Sequence, residues 1–104
     1  MSQNLTFDVG ALVALERRDK RMRAVSLAAC ASGAIITVPA PVLTEWWRNA
    51  PRQRDILRAI LVEPTHARMA TLAGEALAAV PSATPLDALV MASAAQRDGV
   101  VYTG

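Results

Sequence analysis

A chain of 104 residues, 53% hydrophobic and 19% charged, is the size of one domain spanning residues 1–104 and is too apolar for intrinsic disorder. Its single cysteine excludes a disulfide framework and a cysteine-rich zinc site. Eleven basic against nine acidic residues leave a net charge of +2, which selects no class of partner.

Residues 5–7 form a short β run closed by Asp8, and residues 11–16 read as helical after Gly10. A basic turn over 17–23 leads into a helix that reaches about Ser32 and ends at Gly33. Residues 35–38 are a β-branched run that suits a buried parallel strand. Pro41 takes the first position of the next helix, which gathers Val42, Leu43, Trp46 and Trp47 on one side and Thr44, Glu45, Arg48 and Asn49 on the other. Pro51 opens a basic helix over 52–60 with Ile56, Leu57 and Ile60 inward, followed by a very short strand at 61–63. Thr65 then caps a long helix with Met69, Leu72, Ala73, Ala76, Leu77 and Val80 at helical spacing. Thr84 and Pro85 start a helix to Arg97 whose middle, 88–95, is apolar or small all round and is expected to be the most buried. Asp98 and Gly99 end it, and residues 100–102 read as the last strand.

Strands alternating with helices imply right-handed crossovers and a parallel sheet covered on both faces. Ligands of such sheets bind beyond the carboxyl ends of the strands, where Asp8 and Thr103-Gly104 fall. The uncharged stretch 24–44 is long enough to span a bilayer, but Gly33, Pro39 and Pro41 interrupt it. The opening MSQNLTFD has neither the basic flank nor the apolar core of a signal peptide. A cytoplasmic protein with no membrane association is expected.

Six of the carboxylates, Glu16, Asp19, Asp55, Glu63, Glu75 and Asp98, sit at helix ends, in turns or on polar faces, where solvation accounts for them. Asp8 is equally a helix cap and a ligand. Asp87 follows Thr84 in a Thr-x-x-Asp variant of the capping box, yet opens a helix that stays apolar for two further turns. Glu45 alone is a surface acid paired with Arg48. Taken together, carboxylates at the mouth of a parallel sheet would suit hard divalent cations such as Mg2+ or Mn2+. Spacing by itself does not make them converge.

Four stretches in order, TFDVGALVALERRDKRM, ITVPAPVLTEWWRNAPRQ, ATPLDALVMASAAQRDG and VVYTG, resemble PIN-domain proteins, in particular VapC-type toxins of bacterial toxin–antitoxin pairs. The resemblance covers nearly the whole chain. It implies a PIN-like three-layer α/β fold, a short parallel sheet flanked by helices, and a metal-dependent ribonuclease. In that pattern Asp8, Glu45 and Asp87 are the metal-binding and catalytic acids, and Thr103 helps to position metal or water. The implied cofactor is Mg2+ or Mn2+. The implied partners are an RNA substrate, often transfer RNA, a cognate antitoxin protein and a second copy in a homodimer. The family pattern continues from Thr-x to a fourth acid, a helix and often an edge strand, so a C-terminus lacking these last elements is expected at Gly104.

Nine of the eleven basic residues fall in two clusters, Arg17, Arg18, Lys20, Arg21 and Arg23, then Arg48, Arg52, Arg54 and Arg58. Solvated helix faces account for them; beside an acidic pocket they would instead hold RNA phosphates on either side, with Arg17, Arg18, Arg21, Arg48, Arg52 and Arg54 the candidates. Trp46 and Trp47 read as core or dimer packing, Cys30 as a small buried helix residue, and His66 as solvent-facing. Two other readings stay open. One is a catalytically degenerate module working through dimer or antitoxin binding. The other is a Mg2+-dependent phosphotransfer enzyme using Asp8, against which glycine at position 10, in place of a second acid, counts.

Overall fold

The structure, a computed structural model, describes residues 4–97 and 99–103. Four parallel strands, β1 (Leu5–Phe7), β2 (Ile36–Pro39), β3 (Leu61–Glu63) and β4 (Val100–Tyr102), form one sheet in the order β3-β2-β1-β4. Helices α1 (Val9–Glu16) and α2 (Lys20–Ser32) connect β1 to β2, and α3 (Ala40–Trp46) and α4 (Pro51–Ala59) connect β2 to β3. Helices α5 (Ala67–Ala79) and α6 (Pro85–Ala95) cross back over the sheet to β4. Steps from β1 to β2 and β2 to β3 run in one direction and the step to β4 runs in the other. Right-handed crossovers therefore put α1–α4 on one face and α5–α6 on the opposite face. This is the α/β, PIN-like three-layer arrangement that the motifs imply.

Local chemistry explains most boundaries. Asp8 and Asp19 cap α1 and α2, accepting from the backbone N–H groups of Ala11 (2.9 Å) and Met22 (3.0 Å). Asp19 thus starts α2 within the stretch expected to be a basic turn. Gly33 ends α2 at φ 74°, a left-handed conformation that suits a residue without Cβ. The second strand lies one residue later than expected, with Pro39 inside it and Ile35 outside and exposed. Trp47 lies just past the end of α3, and His66, not Thr65, caps α5 through Nδ1 (3.3 Å to the Met69 nitrogen).

Strand alternation divides the core. Thr6 and Thr37, opposite each other in register, lie on the face that meets α6, while Leu5, Phe7, Ile36 and Val38 point the other way. Phe7, Leu12, Met22, Val38 and Val42 are fully buried, each worth about 1.5–3 kcal/mol. Trp46 joins them and Trp47 is half-buried, so the Trp pair belongs to the core. One expectation of burial fails: Cys30 lies exposed, because α2 buries Met22 and Ala29 along another line of the helix. Helix α6 buries Ala88, Val90, Ser93 and Ala94, more than any other helix buries, as expected. Its Met91, beside Leu72 and Ala76 of α5, is nevertheless 59% exposed.

The α6 face contains a polar pin. Arg97, just past the helix, pairs with Glu63 at the end of β3 and donates to Thr6 Oγ1 (3.0 Å) and Ser93 Oγ (2.7 Å). Ser93 donates in turn to Glu63 (2.8 Å). Both charged side chains are about four-fifths buried, so removing one strands the other. Replacing Arg97 with alanine is expected to cost about 2–3 kcal/mol in urea unfolding, whereas breaking the exposed Arg58–Asp55 pair with Arg58→Ala should cost less than about 0.5 kcal/mol.

Candidate active site

Each candidate acid is set in place by a different local device. Asp8 leaves the carboxyl end of β1, where its N–H donates to the Tyr102 carbonyl of β4 (3.3 Å), tying it to the neighbouring strand. Its Oδ1 caps α1, so the cap and ligand readings are compatible: Oδ2 accepts no hydrogen bond from the described residues. Asp87 stands in the first turn of α6, where its N–H donates to Thr84 Oγ1 (3.1 Å). The reciprocal half of a capping box does not form among the described residues, so the Asp87 carboxylate is free to serve another partner. Glu45 projects from α3. It makes no ion pair with Arg48, which instead donates to the carbonyls of Trp47 (2.6 Å) and Thr44 (3.4 Å).

These three acids, which lie far apart in sequence, line one open cavity of about 540 Å3 at the carboxyl edge of the sheet. Val9, Gly10, Leu86 and Val90 supply much of the remaining wall. The position follows from the topology: α1 begins where β1 ends, α3 begins where β2 ends, and α6 starts at the same edge on the opposite face, so their N-terminal ends meet at the carboxyl edge of the sheet. The donor chemistry suits a hard divalent cation. Among the described residues, however, no three His, Cys, Asp or Glu side chains stand close enough together to hold a metal ion as they are. Thr103 follows β4 and is exposed, next in sequence to the carbonyl bonded by Asp8, but does not line the cavity. Asp98 and Gly104, the residue after which the family pattern has its fourth acid, lie outside the described residues.

Members of both arginine clusters share one groove. Arg17, Arg48 and Arg52 line a groove of about 460 Å3 together with Glu45, the residue this groove shares with the carboxylate cavity. Arg52 is partly structural: Nε and Nη2 donate to the carbonyls of Glu16 (2.8 Å) and Leu15 (3.1 Å) at the end of α1. Arg54 donates to the Asn49 carbonyl (2.6 Å), whereas Arg17, Arg18 and Arg21 are exposed.

Two residues that hold this region were not legible in the sequence. Glu16 accepts from Trp46 Nε1 (3.0 Å) and Gln53 Nε2 (3.2 Å), and buried Gln53 also bonds the backbone of Arg48, Ala50 and Trp46. The indole N–H of a buried tryptophan, which needs an acceptor, was the available signal for Glu16. Gln53 carried none.

Fold and cavity together define an α/β protein of PIN-like architecture with its acidic site at the carboxyl edge of the sheet. The solved structure of Mycobacterium tuberculosis VapC20, a sarcin-ricin loop cleaving toxin, shares this fold at a TM-score of 0.73 and 18% sequence identity, over 96% of this chain and 88% of that one. No protein-family model matches the chain, and no curated protein matches it in sequence. No helix among the described residues is long and apolar enough to cross a membrane.

The double duty of Asp8 can be separated chemically. Asp8→Ala removes the cap and is expected to lower stability by about 1 kcal/mol, while Asp8→Asn keeps an oxygen for the Ala11 N–H and should stay within a few tenths of wild type. Urea midpoints of the two variants measure the difference.

Proposed function

We propose that this chain is a metal-dependent endoribonuclease of the VapC toxin type that hydrolyses phosphodiesters of structured RNA. The observation that carries the reading is the shared cavity of Asp8, Glu45 and Asp87, three acids on three separate segments. The fold held in common with a toxin that cleaves the sarcin-ricin loop supports it. Asp8 and Asp87 would ligate Mg2+ or Mn2+ directly, and Glu45 would complete the pocket or orient water. When bound, such a cation lowers the pKa of attached water and neutralises charge that builds on the phosphodiester during in-line attack. The cap bond from Ala11 to Asp8 and the Thr84 cap of α6 fix the segments that carry the two aspartates. Thr103 would assist from the end of β4. Arg17, Arg48 and Arg52 beside Glu45 would neutralise substrate phosphates on one flank, with Arg18, Arg21 and Arg54 further out. An antitoxin protein that silences the enzyme and a homodimer are the partners that accompany this reading, and the cytoplasm is its setting.

A second reading, a degenerate module that acts by binding antitoxin or a second copy, draws on the lack of a preassembled metal cluster among the described residues. Transfer RNA, an RNA hairpin carrying the sarcin-ricin sequence and a single-stranded control, each incubated with the protein in Mg2+, Mn2+ or EDTA, decide between them. The nuclease reading expects cleavage of a structured RNA that stops in EDTA. Asp8→Asn and Asp87→Asn should each reduce it by more than about 100-fold, since loss of a residue that merely supports a metal ligand already costs about 10–100-fold. Calorimetric titration should show one Mn2+ site that both variants lose. Absence of metal binding and of cleavage would overturn the nuclease reading.

A further inference from the structure

We infer that a second cleft, built by Arg18, Arg23 and Arg52, seats a phosphate of the RNA backbone away from the carboxylate cavity, so that a productive substrate must be long enough to occupy both. The inference rests on the nuclease reading and names how that enzyme would hold its substrate. The cleft has a volume of about 310 Å3 and is lined by Leu15 and the three arginines. They arrive from three places: the turn after α1, the first turn of α2 and the first turn of α4. Like charges gathered in one cleft repel one another, and the acids that might have balanced them are engaged elsewhere. Glu16 accepts from Trp46 and Gln53, Asp19 caps α2, and Asp55 pairs with Arg58. Among the described residues, none of the three arginines forms an ion pair with a carboxylate. Three guanidinium groups without a carboxylate partner suit an oxyanion.

Two features bear on the use of these side chains. Arg52 is held by the Leu15 and Glu16 carbonyls through Nε and Nη2, which leaves Nη1 unused on a fixed fork. Arg18 is the clearer case. Helix α1 ends in a Schellman motif, with the Asp19 N–H bonded to the Ala14 carbonyl (2.9 Å) and the Arg18 N–H to the Leu15 carbonyl (3.1 Å). The residue between the helix end and Asp19 must be left-handed, and glycine is the usual occupant. Here it is Arg18, at φ 62°. A side chain kept where the backbone disfavours one points to a use for that side chain.

The cleft is also connected to the cavity. Arg52 lines both the cleft and the groove containing Arg17 and Arg48, and Glu45 lines both that groove and the carboxylate cavity. A nucleic-acid backbone that left the proposed cutting site past Glu45 would meet Arg17, Arg48 and Arg52 in the groove and then Arg18 in the cleft. Inorganic phosphate shares the chemistry of the site, but only a polynucleotide can occupy cleft and cavity together.

Replacement of Arg18 by glycine separates this role from folding, because it removes the guanidinium while relieving the left-handed strain. Fluorescence anisotropy in EDTA, with RNA of about 4 and about 20 nucleotides, compares wild type, the double variant Arg18→Gly with Arg23→Ala, and Arg58→Ala as a control at the exposed Asp55 pair. The double variant should keep or raise the melting temperature. It should lose about tenfold in affinity for the longer RNA and lower the salt slope by about one unit, and the short RNA, whose phosphates the cleft alone can seat, should weaken too. Inorganic phosphate at millimolar concentration should displace the longer RNA weakly, and less from the double variant. Unchanged affinity and slope would overturn the inference, as would loss of binding to an acidic peptide in place of RNA. Failure of the cleft alone leaves wild-type cleavage intact, whereas failure of the nuclease reading removes cleavage from wild type itself.

Discussion

The fold depends on a strand of three residues. Leu5, Thr6 and Phe7 of β1 are buried on both faces and paired on both edges, with β2 on one side and β4 on the other. So short a parallel strand makes few ladder hydrogen bonds, and its position must be secured by what lies above and below. Phe7 enters the core of α1–α3 and meets Tyr102 edge to face at 5.9 Å, while Thr6 accepts from Arg97 on the opposite side. Where β1 ends, Asp8 is delivered to the crevice. The placement of the proposed site is thus a consequence of how the central strand is buried.

The other elements of the cavity are held by polar contacts reaching across the molecule. Helix α6 carries Asp87 near its N-terminus, and just past its C-terminus Arg97 ties the chain to β1 and β3. On the opposite face Glu16 gathers Trp46 and Gln53, which fixes the turn between α3 and α4 close to Glu45. Burial makes these contacts matter, since a partner left behind in either cluster would be desolvated without compensation. The exposed Arg58–Asp55 pair, by contrast, bears on nothing else.

Much of this was legible in the sequence because the punctuation is strong. Asp8, Gly33, Pro51 and Thr84 mark element ends by mechanisms that operate locally, and the structure follows them. Strand order, and with it the meeting of Asp8, Glu45 and Asp87, required the ordered motif set, because nothing local to each acid records the others. Errors arose where tertiary packing decided. Whether Cys30 is covered depends on which neighbouring helix reaches it, and helical periodicity does not report that. Glu16, Glu63 and Arg97 were assigned to solvent or passed over because a charge at a helix end normally belongs there; their partners lie thirty or more residues away. The groove shared by members of both arginine clusters was hidden for the same reason.

The bond from Ala11 to Asp8 also bears on which ions the cavity could distinguish. With Oδ1 holding the start of α1, a cation bound in the proposed site would meet Asp8 mainly through Oδ2. Gripping an ion with both oxygens would compete with the helix cap. Small octahedral ions, satisfied by single carboxylate oxygens and retained water, have nothing to lose by this restriction. Calcium, which fills a larger shell and often takes both oxygens of a carboxylate, would have to weaken the helix start to do so. If the proposed site takes a cation, a bond that begins a helix would thus act, at the same carboxylate, as a filter on coordination number.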